Sequence, residues 1–163
     1  MNRVVAVFLL LAFAMPVPAQ QDAPPVPIEQ TIVKMPIEEG VSLDAAVESM
    51  KLRANILNMP LVAEMPLSEQ LEAMGEESRR MEIYQFCDPV TAKHMVESNI
   101  DFAAYLPCRI ALVEDEDGQG WLVMIDLDRV LAGANLGPEL EAEAIKVRDG
   151  LTEIMQAGAS GDL

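Results

Sequence analysis

Both cysteines of this 163-residue chain, Cys87 and Cys108, and its single histidine, His94, lie in one stretch, FCDPVTAKHMVESNIDFAAYLPC. Three chemistries can use such a set: a thiol nucleophile with an imidazole base, a metal site, or a disulfide. For the first, Cys87 stands just before an Asp88-Pro89 helix start, where the helix dipole can lower a thiol pKa. Seven helical residues then separate Cys87 from His94 by about 10 Å along the axis, too far for a relaxed dyad. The apolar pole of that helix is Ala92, Met95 and Val96. At 100° per residue His94 falls on the opposite side, facing outward or towards a partner subunit.

As a metal site the spacing is Cys-x6-His-x13-Cys, without the short Cys-x2–4-Cys knuckle of structural zinc sites. Cys87, His94 and Cys108 are the candidate ligands, to be completed by Asp88, Glu97, Asp101 or a methionine. No cofactor is specified beyond a metal ion. The eleven methionines raise the thought of copper(I), but Met50, Met95 and Met155 fit helical core faces, and core filling is the simpler use. The turn DEDGQG (115–120) holds Asp115, Asp117 and a glycine in part of a calcium-loop pattern, without its distal glutamate. A polar hairpin turn accounts for it. No phosphate loop, Gly-x-Ser-x-Gly elbow or zincin helix is found in the sequence. Asp126 and Asp128 have nothing to mark them as an acid–base couple, so hydrolysis is unsupported.

The compartment decides how cysteines behave. Arg3, the apolar run VVAVFLLLAFA and the small-residue pattern Val17-x-Ala19 read as a secretory leader over residues 1–19. Eleven apolar residues are fewer than the roughly 20 a bilayer span needs. The expected product is a periplasmic or secreted protein beginning at Gln20, with no stable membrane insertion after cleavage. A net charge of −16 repels nucleic acid and anionic membranes, and favours solubility or a cationic or protein partner. Aromatics at 4% leave little for stacking on bases or sugars.

Certain elements must position the cysteine stretch. Residues 20–28 form a proline-rich linker, residues 29–156 the ordered domain, and residues 157–163 a flexible tail. After the N-cap Ser42, Leu43, Val47, Met50, Ala54 and Leu57 mark a buried helical stripe. Pro138 opens a last helix with the stripe Leu140, Ala144, Val147, Leu151 and Ile154. QTIVKMPI, MPLVAEMPL and MEIYQFC read as strands, and CRIALVE and WLVMIDLD as a hairpin about DEDGQG. Short helices are expected over 68–75 and 128–133, and a longer one after Asp88. This order predicts an α+β fold, an antiparallel sheet with helices packed on one face.

The segments GVSLDAAVESM, CDPVTAKH, LPCRIALVEDEDG and PELEAEAIKVRDGLTEIM resemble the bacterial family called domain of unknown function 302, over about residues 35–155. The resemblance implies a TATA-binding-protein-like sheet and a homodimer, and no established activity. Two features depart from its pattern: the leader, and Asp88 where asparagine is expected. The 55–71 region also lacks the family's glycine-centred turn.

The expected function is an exported, non-catalytic binding module for a metal ion, small molecule or protein partner, using Cys87, His94 and Cys108. The alternative is a thiol-redox or sulfur-handling protein built on the same residues. In an oxidising compartment an even cysteine count usually pairs, so Cys87 and Cys108 are expected to form a disulfide, stabilising by about 3 kcal/mol in the chain-entropy model.

Overall fold

The computed structural model describes residues 25–162; the leader and the linker residues 20–24 lie outside them. Five strands, β1 (Ile32–Pro36), β2 (Leu61–Pro66), β3 (Met81–Phe86), β4 (Cys108–Glu114) and β5 (Gly120–Ile125), form one sheet in the order β1-β5-β4-β3-β2. Every neighbouring pair is antiparallel. The helices are α1 (Leu43–Ile56), α2 (Leu67–Ala73), α3 (Pro89–Ser98), α4 (Leu127–Gly133) and α5 (Pro138–Ser160), with short 3-10 segments at Ile28–Gln30 and Ile100–Tyr105. This is the expected α+β architecture. Among the described residues no helix is long and apolar enough to cross a membrane.

Local chemistry accounts for the boundaries. Ser42 Oγ accepts the Ala45 amide at 3.1 Å and caps α1. Pro138 starts α5, and Gly161, left-handed at φ 72°, ends it. The glycine-centred turn missing before β2 is replaced by Asn58, which takes a positive φ of 55°, a conformation asparagine tolerates better than most residues. Between β4 and β5, Asp115 closes the hairpin. Its carboxylate accepts the amides of Asp117 and Gln119 and, at 2.7 Å, the indole N–H of Trp121. The Trp121 bond, chiefly, holds the Asp115 carboxyl below its ordinary range. Its oxygens thus serve the turn, which is why the partial calcium pattern needs no ion to explain it.

Alternation places Tyr84, Phe86, Ile110, Leu112, Leu122 and Met124 on one sheet face, all buried. Helices α1 and α5 lie over that face and against each other. Glu82 also points inward, at 7% exposure. It accepts bonds from the Tyr84 hydroxyl and from Arg80 Nε at 2.9 Å, while Arg80 reaches Asp44 of α1. The buried carboxylate is thereby paired, as burial demands. Among the described residues no helix packs on the opposite sheet face. Trp121, Val123, Val113, Ala111, Ile83 and Met65 project from it, none fully buried.

The C-terminal boundary differs from the sequence expectation. Residues 157–160, expected in a flexible tail, are helical: α5 runs to Ser160, and Ala157, Gly158 and Ala159 are buried. Small residues there read as loop composition, but their smallness is what lets α5 approach α1 and β5. A Cβ on Gly158 would stand 2.5 Å from Met50 Cγ, 2.9 Å from Leu122 Cδ1 and 3.2 Å from the Ala46 carbonyl. Gly150 is crowded by the flexible end of Met59, with Sδ at 2.6 Å.

Gly158→Ala is therefore expected to destabilise the domain by about 1–3 kcal/mol through overpacking, despite the gain of about 1 kcal/mol in helix propensity. Gly150→Ala, relieved by a turn of the Met59 side chain, is expected to be neutral or mildly stabilising. Paired denaturant titrations check this, and equal effects at the two sites would contradict it.

Candidate functional site

The register of β3 and β4 brings the cysteines together. Phe86 pairs with Cys108, and Cys87 is the next residue after Phe86, where the chain leaves the sheet for α3. Cys87 N donates to Pro60 O at 3.3 Å, which ties this exit to the start of β2. Asp88 then caps α3. One carboxylate oxygen accepts the amides of Val90 and Thr91 at 3.0 and 3.3 Å, and the other accepts the Thr91 hydroxyl at 3.0 Å. Aspartate does here what the expected asparagine would do, with one more acceptor oxygen. The Leu106–Pro107 peptide before Cys108 is cis.

Both cysteines are unbonded thiols in the structure, and both line one cavity of about 60 Å³. Its walls come from α3, the 3-10 segment after it, α4 and the first half of α5, through residues such as Met95, Phe102, Leu131, Ala144 and Val147. The space has room for a few water molecules; drug-sized ligands occupy about 300–1,000 Å³. Burial, then the neighbouring charge of Cys87, pushes the Cys108 thiol up to about 11. Cys87 is raised as well, by burial and then by the Asp88 carboxylate. At neutral pH both sulfurs therefore keep their protons, the reverse of an activated nucleophile. The lowering expected of Cys87 from its place before α3 is not what its surroundings give: burial and the Asp88 charge raise it.

His94 does not join them. It is half-exposed, lies away from the cavity, and bonds through Nδ1 to Glu143 Oε2 of α5 at 2.8 Å. The sequence reading turned it outward or towards a partner subunit. It faces α5 of its own chain, because α5 packs along α3. Glu143 was missed as its partner, since nothing in the local pattern of either helix reveals which faces meet. The three-ligand set Cys87, His94 and Cys108 is thus divided. Among the described residues no group of three or more His, Cys, Asp or Glu side chains is placed to hold a metal ion. Glu97 stands 3.7 Å from Lys93 and Asp101 is exposed; neither lines the cavity. Met95, read only as core filler, does line it, and is the donor that the sequence reading undervalued.

Residues 33–158 match the family described as "Domain of unknown function DUF302", and the chain belongs to that family. Among solved structures, it is similar to an uncharacterised conserved DUF302 protein from Bacillus stearothermophilus. The identity is 17%, with 78% of this chain and 97% of that one covered, at a TM-score of 0.64, a likeness that shows the fold. No curated protein matches.

With the Cys108 thiol raised from 9.0 to about 11, its thiolate fraction at pH 7 falls about a hundredfold below that of an unperturbed thiol. Because the thiolate is the attacking form, alkylation of Cys108 by iodoacetamide should be at least that much slower at pH 7. It should then rise about tenfold per pH unit, levelling only near 11. Mass-resolved alkylation kinetics across pH 6–10 measure this; a rate at pH 7 above that of free cysteine would contradict it.

Proposed function

We propose that this DUF302 domain is an exported, non-catalytic binding module that acts as a pair of identical copies and takes an ion-sized ligand at the Cys87–Cys108 cavity. The observation that carries it is that two thiols, one just past the end of β3 and one at the start of β4, line one small apolar cavity, with the only imidazole turned elsewhere. A hydrolytic or transfer centre needs a base within reach of its nucleophile. Here the one imidazole is bound to Glu143, and the raised pKa values keep both thiols protonated and poorly nucleophilic at neutral pH.

Self-pairing is supported by the helix-free sheet face. Its central positions are apolar, Lys34 and Arg109 stand on it, and the Asp115 carboxylate joins it at the Trp121 indole. Lys34 Nζ is drawn over the Trp121 ring at 3.6 Å. In a chain of net charge −16, a face with two basic side chains among apolar ones eases the approach of a second acidic copy, and an apolar face gains by being covered.

A second reading is a dithiol–disulfide couple. It is favoured by one observation: Phe86 pairs with Cys108 and Cys87 is the next residue along the chain. In that reading exported protein carries a Cys87–Cys108 disulfide, and non-reducing peptide mapping that finds two separate cysteines removes it.

Native mass spectrometry tests the first reading. Protein exported under its own leader is expected as a dimer, each chain carrying a small adduct that Cys87→Ser loses. Val123→Glu, which places a carboxylate in the centre of the open face, is expected to give a monomer with unchanged circular dichroism. A bare monomer at all concentrations would overturn the proposal.

A further inference from the structure

The cavity's donor atoms can be sorted by what they are already doing. Asp88 reaches it, but both carboxylate oxygens are engaged in capping α3. Thr91 reaches it, and its hydroxyl donates to Asp88. The Tyr105 phenol stands at an exposed position, and a neutral phenol is a poor ligand. What remains is sulfur: the Cys87 and Cys108 thiols, and the thioether of Met95, which is 9% exposed and lines the same space. Phe102, Leu131 and Val147 close the walls with carbon.

Such a donor set selects strongly among ions. Calcium and magnesium require six or more oxygen or water ligands. Zinc in a structural site requires four ligands in a tetrahedron, one more than the cavity offers. Soft thiolate and thioether donors suit copper(I), a closed-shell d10 ion that is satisfied with two or three sulfurs. The size agrees, since about 60 Å³ admits an ion.

Resting on the reading of this cavity as the binding site, we propose that its reduced form holds one soft d10 cation, with copper(I) as the type, between the Cys87 and Cys108 thiolates with the Met95 thioether as third donor. On loading, two sulfur–copper bonds form and each thiol releases one proton to solvent. Met95 adds a lone pair and loses nothing. Copper remains copper(I) throughout, so no oxidant or reductant is consumed. Once bound, the thiolates are withheld from oxidation, which lets a cysteine pair persist unbridged in an oxidising compartment. The acidic surface draws cations towards the molecule, and the sulfur set decides which one stays.

The full chain, reduced under argon, is titrated with copper(I) held by the chromogenic chelator bicinchoninate. The expected result is transfer of one copper per chain, with both thiols lost to a disulfide-exchange reagent and no displacement by equimolar zinc. Cys87→Ser and Cys108→Ser should each weaken binding at least a hundredfold. Met95→Leu keeps the side-chain volume, and should weaken binding about tenfold while the metal-free protein melts within a few degrees of wild type. Copper left with the chelator overturns the proposal, and so does transfer that both serine variants retain. If copper is refused but exported protein carries another adduct lost in Cys87→Ser, the metal assignment falls and the binding module stands. If no adduct is found at all, that reading falls as well.

Discussion

The contact between α5 and α1 holds this domain in its shape. At Gly158 the two helices and β5 come so close that a single methyl group has nowhere to go. Small residues are buried on both helices, Ala46, Ser49 and Ala54 on α1 and Ala157, Gly158 and Ala159 on α5, and Gly158 lies against Met50 and the Ala46 carbonyl. Arg53 and Glu153 close the rim at 2.6 Å. Ser49 carries a buried hydroxyl with no partner, which costs free energy and is tolerated where a larger group would not fit. Since α5 is 23 residues long, about 34 Å at 1.5 Å per residue, anchoring its C-terminal half fixes the N-terminal half as well. That half reaches past the sheet to α3 and α4 and supplies Ala144 and Val147 to the cysteine cavity. The cavity is thus held open by packing at the other end of the same helix.

This division of labour explains how a cavity can exist in a domain of modest size. The core cluster is shared among α1, α5 and the central strands. The shorter segments, α3, α4 and the 3-10 turn between α3 and β4, contribute walls and little to the central core. A cavity among them forgoes packing energy without exposing the main core. The thiols sit where the two regions meet. Cys108 packs against the core cluster, while Cys87 stands at the strand exit, and this difference in surroundings raises Cys108 the more strongly.

Much of the fold was legible in the sequence because its signals are local. The N-caps Ser42 and Asp88, the opening Pro138, the alternation of β3 and the hairpin turn each act within a few residues. Gly158 was misread for the opposite reason. A glycine among alanines and a serine looks like a fraying end, and only the neighbouring helix shows that smallness is required there. Alternation in Met81–Phe86 likewise identifies a strand without saying which side is buried. Glu82, Tyr84 and Phe86 take the core, and the apolar pair Met81 and Ile83 lies on the open face. The proximity of Cys87 and Cys108 comes from β3 ending and β4 beginning at the same end of the sheet, which strands read on either side of one helix allow. The distance of His94 from Cys87 was legible in the helix spacing, but its partner Glu143 was not, because it is 49 residues away and the rotation of α5 about its own axis decides the pairing. Met95 was visible only as an apolar helical position, and its second role depends on what faces it.

The claim on which function turns is that these sulfurs act together on one ion. Anomalous diffraction at the copper edge, from crystals of reduced protein loaded with one equivalent of copper(I), tests it most directly. The expected map has a single strong peak per chain, between Sγ of Cys87, Sγ of Cys108 and Sδ of Met95. A peak beside His94 and Glu143, or on the acidic surface with the cavity empty, would contradict it.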